Sequence, residues 1–280
     1  MKIHVLASGS KGNATLVEDG ENRLLVDAGL SARELTKRLE SEKVGCSPKQ
    51  LQGILLTHAH GDHVRGVRVF ATKYALPVFA TEQTFEGLGP EVVNDLRPLW
   101  TKIRARPAIA GPDPDCQIPR CGIVIHPIQT SHDKDGSVGY VFTSACGTYK
   151  AAVMTDLGED GGILKAIRGC NLLVLEFNHD LAMLWDKEKC DYPHEVKKRI
   201  QGPRGHLSND QARDILVHLL QPGPERRLEA LVLAHLSEKS NTPQLALAAA
   251  DAALGFYKLQ GRVDLIVAGP AEPVTIPVPR

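Results

Sequence analysis

The hexapeptide His58-Ala59-His60-Gly61-Asp62-His63 gathers three imidazoles and one carboxylate into six residues. Neutral imidazole and carboxylate are the donors that borderline divalent ions such as zinc, manganese and iron accept. His58 and His60, two residues apart, can project from one side of an extended segment. Asp62 and His63 come after Gly61, which has no side chain and lets the chain turn back, so they can serve a second ion beside the first. The bland alternative is a solvated loop rich in histidine. Four donors directly after the apolar run Gly53-Ile54-Leu55-Leu56-Thr57 argue against it, because that run reads as a short buried strand delivering the loop at its carboxyl end.

Other donors recur in the same setting. His132 follows the apolar strand pattern of residues 122–129 in Thr130-Ser131-His132-Asp133, Asp156 follows residues 149–155, and His235 follows Glu229-Ala230-Leu231-Val232-Leu233-Ala234. Taken singly, each is more often a hydrogen-bonded surface histidine or a turn aspartate, and Gly158, Gly161 and Gly162 fit an ordinary turn after Asp156. A carboxylate immediately after a strand also suits a bridge between two cations, one oxygen to each. Asp27 closes Leu25-Val26, and Glu176 closes Leu172-Leu173-Val174-Leu175 before the polar cluster Phe177-Asn178-His179-Asp180. His206 stands in Gly205-His206-Leu207-Ser208, where Ser208 and Gln211 spell a capping box for a helix. Near the amino terminus, Ser8-Gly9-Ser10-Lys11-Gly12-Asn13 can expose backbone N–H groups and hydroxyls in one concave turn, a phosphate or oxyanion cradle or simply a tight connection.

The elements that must position these groups alternate along the chain. A first strand at residues 1–7 precedes a hairpin of residues 14–17 and 23–27 around Glu18-Asp19-Gly20-Glu21-Asn22. Ser31 and Glu34 form a capping-box pattern for a helix to about residue 42, Ser47-Pro48 marks another helix start, and Val64, Val67 and Phe70 continue the metal-type loop at helical spacing. A strand at residues 77–80 and a helix at 81–88 follow. Residues 89–122 are crowded with Pro90, Pro98, Pro107, Pro112, Pro114 and Pro119, which exclude long regular elements. Arg97, Lys102, Arg104, Arg106 and Arg120 make that stretch basic, a solvated surface or a strand-binding lip. Residues 138–145 and 149–155 read as a hairpin about Gly147. Thr242-Pro243 opens a long alanine-rich helix, residues 264–268 close the pattern as a strand, and the tail with Pro270, Pro273, Pro277 and Pro279 reads as an extended edge. Lys197-Lys198-Arg199 with Arg204 is a second basic run, a solvated helix face or a phosphate contact near His206.

Composition bounds the class. A chain of 280 residues accommodates one large sandwich, and the pattern is read as a single domain over 1–280. No apolar run approaches the ~18 residues of a membrane span, and the short polar-flanked start is no secretory signal. Six cysteines without a CxxC pair suit reduced thiols of a cytoplasmic protein, and Cys116 with Cys121 has no second pair nearby to complete a metal site. A formal net charge of zero advertises no polyanion partner, so a nucleic-acid substrate would need a local basic patch.

The hexapeptide resembles the HxHxDH signature of the metallo-β-lactamase fold superfamily of binuclear metallohydrolases. The stretches around Ser8, Asp27, His132, Asp156, Glu176, His206 and His235 resemble its YycJ/WalJ branch, near the ribonuclease Z group, over nearly the whole chain. The resemblance implies a four-layer αββα sandwich and two divalent ions, zinc or manganese, with iron as a further option. His58, His60 and His132 would hold one ion and Asp62, His63 and His235 the other, with Asp156 shared. It gives Asp27 a supporting position without a bond to metal, and His206 the protonation of a leaving group with Glu176 as partner and Asp62 orienting the water. Ser8, Ser10, Asn13, His179, Ser208 and Ser237 are the candidate substrate contacts, although His179 is equally a helix cap; Asn241 also matches the group.

The activity so implied is phosphodiester hydrolysis by a metal-bridging hydroxide, in a nuclease acting on DNA ends, with RNA as the near alternative. The chain has no room for the large inserted domain of ribonuclease J relatives and shows no long arm of the tRNA-processing type. Rival readings are hydrolysis of a thioester, lactone or lactam on the same metal cradle, and a non-catalytic binding protein keeping the fold. Nothing in the sequence points to a protein partner or a membrane.

Overall fold

A computed structural model describes residues 1–105, 118–132 and 136–276. Arg106, Pro107, Pro112, Pro114, Cys116, Asp133, Pro277 and Pro279 lie outside the described residues. In chain order the strands are β1 (Lys2–Ala7), β2 (Ala14–Asp19), β3 (Asn22–Val26), β4 (Gly53–Leu55), β5 (Val78–Ala80), β6 (Trp100–Lys102), β7 (Val124–Gln129), β8 (Val138–Thr143), β9 (Lys150–Met154), β10 (Leu172–Glu176), β11 (Ala230–Ala234), β12 (Asp264–Val267) and β13 (Val274–Ile276). They form one sheet in the order β13-β1-β2-β3-β4-β5-β6 and a second in the order β12-β11-β10-β9-β8-β7.

Three apolar layers make this a four-layer αββα sandwich. Between the sheets, Ile3, Val5, Val17, Leu24 and Val26 meet Tyr140, Phe142, Val153, Val174 and Val232. Outside the first sheet, Leu16, Leu25, Ile54 and Val78 pack on Leu35, Leu39, Phe70 and Phe85 from helices. Outside the second, Leu173, Leu175, Leu231 and Leu233 pack on Ile215, Leu216, Ala250 and Leu254. Both faces of the central strands are therefore covered, so β10 and β11 are apolar at nearly every position instead of alternating. Leu172 and Val174 face the other sheet while Leu173 and Leu175 face the helices.

Strand direction decides where the polar residues go. β3, β4, β5 and β6 run parallel, as do β9, β10, β11 and β12, while β7 and β8 join the second sheet antiparallel. The carboxyl ends of β3, β4, β7, β9, β10 and β11 thus come to one edge. There the sheets are tied together: Val138 N–H donates to Thr57 O at 3.0 Å and the Tyr140 hydroxyl donates to Leu56 O at 2.7 Å.

Several sequence expectations are corrected. The proline-marked stretch contains a helix, Pro90–Leu96, with Pro90 in the first turn where its missing N–H costs nothing, followed by edge strand β6. The tail forms the extended edge expected of it, β13 lying antiparallel to β1 at the end of the first sheet in the register Ile3↔Ile276. Ser31 caps its helix through Glu34 N–H, but the Glu34 carboxylate turns to Arg38 at 2.9 Å and leaves the box half formed. Thr81 is the cap of a helix confined to Glu82–Glu86. No described helix is long and apolar enough to cross a membrane. Cys46, Cys170 and Cys190 are buried free thiols, whereas Cys146 is exposed.

Candidate metal centre

The loop after β4 is held from both sides. Thr57 N–H donates to Asp27 Oδ1 and the Thr57 hydroxyl to Asp27 Oδ2, both at 2.8 Å, which ties the ends of β3 and β4. His60 then caps a one-turn helix, Gly61–Val64, that lifts Asp62 and His63 back over the strand ends. Asn13 N–H donates to Asp62 O at 2.7 Å, and Ala28 N–H to His63 O at 2.8 Å, so the turn is stitched to the loops after β1 and β3. Sequence patterning carried no signal for the anchoring by Thr57, since a hydroxyl before a histidine has no distinctive period.

Three donors reach the site through left-handed backbone. Asp27 has φ 61°, Asp156 φ 61° and His235 φ 55°, each just past a strand end. Such a conformation costs a non-glycine residue about 1–2 kcal/mol, although Asp and His tolerate it better than most. It abandons the strand's alternation and aims the side chain along the edge of the sheet, the kind of local strain that collects at functional sites.

The donors converge. One atom from each of His58, His60 and His132 lies within 4.8 Å of the others; the same holds for Asp62, His63 and His235, for His58, His63 and Asp156, and for Asp156, Glu176, His206 and His235. Asp156 thus adjoins both the His58 and the His235 groups. Four of the imidazoles are oriented through Nδ1: His63 by Asp27 Oδ2 at 2.7 Å, His132 by Gly205 O at 2.6 Å, and His206 and His235 by Glu176 Oε1 at 2.8 and 2.9 Å. Glu176 Oε2 accepts from the N–H groups of Leu157 and Leu207. Sequence reasoning paired Glu176 with His206 alone and missed its hold on His235.

The donor set fits divalent ions. His58 Nε2, Asp156 Oδ2 and His235 Nε2 are buried without a hydrogen-bond partner, and all three belong to residues of the ligand clusters. Buried polar atoms normally find partners, and convergent orphans of this kind mark a cation site. Electrostatics agree. Burial opposes charge on Glu176, but the His206 and His235 imidazoles outweigh it and hold the carboxyl down at about 2. Burial likewise opposes charge on His63, yet Asp156, Asp27 and Asp62 raise it to about 9. Asp156 is held well below the usual carboxylate range, against burial, by the imidazoles around it. Burial keeps His58 and His132 low and therefore neutral, the form that ligates.

These groups open into a cleft of about 800 Å³ lined by Ser10, His60, Asp62, His132, Asp156, Arg199, Arg204, His206 and His235 among others. Of the expected substrate contacts only Ser10 is on its wall. Ser8 is buried and its hydroxyl accepts the His235 N–H at 2.7 Å. Asn13 Nδ2 donates to Asp62 Oδ2 at 3.1 Å and lies 3.0 Å from His63 Nε2. Ser208 caps the helix Asn209–Leu219, Ser237 accepts N–H groups of Lys239 and Ser240, and His179 has no exposed surface. Ser8, Asn13, Ser208 and Ser237 are internal props, since a polar residue near a strand end can as well satisfy backbone as face solvent, whereas both ring nitrogens of His179 are buried without a hydrogen-bond partner. Asn241 is equally internal, bonded to Phe177 O and Asn209. The described members of the first basic stretch do not line the cleft; Lys102, for instance, pairs with Glu82 at 2.6 Å.

Fold and site together define a metal-dependent hydrolase. The sequence model of the metallo-beta-lactamase superfamily matches residues 7–228, and the chain belongs to that superfamily. It is 33% identical over 249 residues to exodeoxyribonuclease YycJ of Bacillus anthracis, covering 88% of this chain and 87% of the relative. It is 30% identical over 254 residues to exodeoxyribonuclease WalJ of Streptococcus pneumoniae, covering 88% and 85%. The crystal structure of the metallo-beta-lactamase fold protein YhfI from Bacillus subtilis superposes with a TM-score of 0.63 at 16% identity, over 98% of this chain and 99% of that one, a likeness of fold.

Proposed function

We propose that the protein is a binuclear metal-dependent phosphodiesterase that removes nucleotides from DNA ends, working as a single domain in the cytoplasm. The observation that carries this reading is similarity along nearly the full length to two proteins named exodeoxyribonucleases. The donor geometry supports it. His58, His60 and His132 would hold one zinc or manganese ion, Asp62, His63 and His235 the other, and Asp156 both. When bound, such a pair supplies Lewis acidity and brings the ionisation of water near neutral pH.

The chain's own groups do the rest. Asp62, partly exposed in the cleft and steadied by Asn13, orients the attacking water and accepts its proton. His206 donates its Nδ1–H to Glu176, leaving Nε2 to protonate the departing oxygen from the cleft wall. Glu176 stays ionised and, through the Nδ1 hydrogen bond, keeps the His206 ring aimed at the cleft.

Purified protein with manganese or zinc, incubated with end-labelled DNA and RNA of one sequence, tests the proposal. Stepwise shortening of DNA, lost in Asp62→Ala and His206→Ala, is the expected result. Full activity in both variants would overturn the assigned roles, and preferential turnover of RNA, a thioester or a lactam would overturn the substrate.

A further inference from the structure

Two arginines of the cleft wall have no acidic partner. Arg199 and Arg204 are exposed, and among the described residues neither guanidinium makes a hydrogen bond or an ion pair. Their basic neighbours are engaged: Lys198 with Glu195 at 3.9 Å, Lys239 with Asp191 at 2.8 Å, Arg213 with Asp210 at 2.6 Å, and buried Lys197 with Cys190 O at 2.8 Å. In a chain of zero net charge, two unneutralised guanidinium groups thus line the cleft of the candidate metal centre.

The backbone beneath Arg204 is fixed relative to the reacting groups. Gly205 N–H donates to Gly202 O and His206 N–H to Ile200 O, both at 2.8 Å, while Gly205 O accepts from His132. A methyl group on Gly205 would lie 2.2 Å from the carbonyl oxygens of Arg199 and Ile200, and one on Gly158 would lie 2.1 Å from Pro203 O. No slack remains between the loop and the Asp156 turn.

The helix His194–Gln201 leads from this wall to a second hollow of about 270 Å³ lined by Trp185, Tyr192 and His194. Trp185 is 39% exposed, an unusual position for so large an apolar side chain. Its indole Nε1 donates to Gln201 Oε1 at 2.8 Å, and its ring meets the His194 ring edge to face at 5.4 Å. Gln201 adjoins Gly202 of the cleft wall, so the indole is pinned one step along the surface from the arginines.

We infer that Arg204, Arg199 and Trp185 form a track for single-stranded nucleic acid, the guanidinium groups gripping phosphates next to the scissile one and the indole stacking on a base farther along. The inference rests on the phosphodiesterase reading and adds a substrate form to it. A planar guanidinium matches a phosphate in two parallel hydrogen bonds, and stacking on an indole tolerates any base. Such a track is sequence-independent and favours a frayed or single-stranded end over a closed duplex.

The test compares an oligothymidylate with bis(4-nitrophenyl) phosphate, which is too short to reach the track, in protein loaded with manganese. Arg199→Ala and Arg204→Ala should each raise KM for the oligonucleotide about tenfold and reduce the slope of log(kcat/KM) against log salt by about 0.7. Trp185→Ala should raise KM about tenfold and leave that slope alone, with Trp185→Phe restoring most of the loss. Turnover of the small diester should stay within about twofold in every variant, and matching melting temperatures would establish that each is folded. Unchanged KM and slope in an active enzyme would overturn the track alone. An inactive wild type on both substrates would overturn the phosphodiesterase reading and the track with it.

Discussion

Nδ1 of His206 and Nδ1 of His235 converge on one oxygen of Glu176, at 2.8 and 2.9 Å. That carboxylate sets the tautomer of a proposed proton donor and of a proposed metal ligand together. Its other oxygen is taken by the N–H groups of Leu157 and Leu207. Glutamine cannot accept on both sides, so Glu176→Gln places an amide N–H against a donor wherever it turns. Metal affinity should fall about 10- to 100-fold, and turnover at saturating metal should fall as well, because His206 loses its partner too. Metal titration by calorimetry, followed by assays at saturation, separates the two effects; a change confined to one of them would show that the carboxylate serves a single ring.

Asp27 plays the matching part on the other sheet. Its Oδ2 accepts from the Thr57 hydroxyl and His63 Nδ1, and its Oδ1 from Thr57 N–H. Asparagine tolerates the left-handed backbone at this position, so Asp27→Asn should keep the fold while setting an amide against one of these donors. A loss of about 10- to 100-fold in metal affinity is expected, with a melting temperature close to wild type when metal is in excess. Wild-type affinity would refute the orienting role.

Gly205→Ala tests whether the loop before His206 is as tightly seated as it looks. The added methyl meets two backbone carbonyls, which cannot swing away, and overpacking of this kind costs about 1–3 kcal/mol. Gly223, where a methyl group would meet nothing within 4 Å, is the control, and Gly223→Ala should stay within about 0.5 kcal/mol. Urea unfolding measures both; equal stabilities would contradict the close packing.

His179 supplies a pH dependence away from the proposed ligands. Burial pushes its imidazole from the ordinary 6.5 down to about 4, outweighing the attraction of Glu176. The folded ring stays neutral while the unfolded one takes up a proton below 6.5, so the unfolded state binds more protons and stability rises with pH. This contribution is whole above pH 6.5 and is lost as pH falls from there toward 4, by about 3 kcal/mol at 1.36 kcal/mol per unit. His179→Gln should flatten the acid limb of a stability profile taken from pH 7 to pH 4 by urea unfolding. Parallel profiles for wild type and variant would mean that His179 titrates normally in the fold.

The HxHxDH loop was legible because its donors are neighbours in the chain: one short strand and one glycine turn are enough to bring them together, and both leave local patterns. The apolar runs of β10 and β11 declared themselves equally, since burial on two faces removes alternation. The short helix Pro90–Leu96 was hidden because proline reads as a breaker unless its place in the first turn is known.

Residue type and strand-end position, all local quantities, were therefore determined by the sequence alone. Which way each polar group points was decided only by the tertiary structure. Ser8, Asn13, Ser208 and Ser237 turned inward to serve backbone and neighbouring side chains, whereas Arg199 and Arg204 were left facing the cleft. The physical reason is that hydrogen-bond satisfaction is settled between elements far apart in the chain. Asp27 meets His63 and Glu176 meets both His206 and His235 because parallel strands of two sheets end at one edge and left-handed backbone turns Asp27, Asp156 and His235 along it.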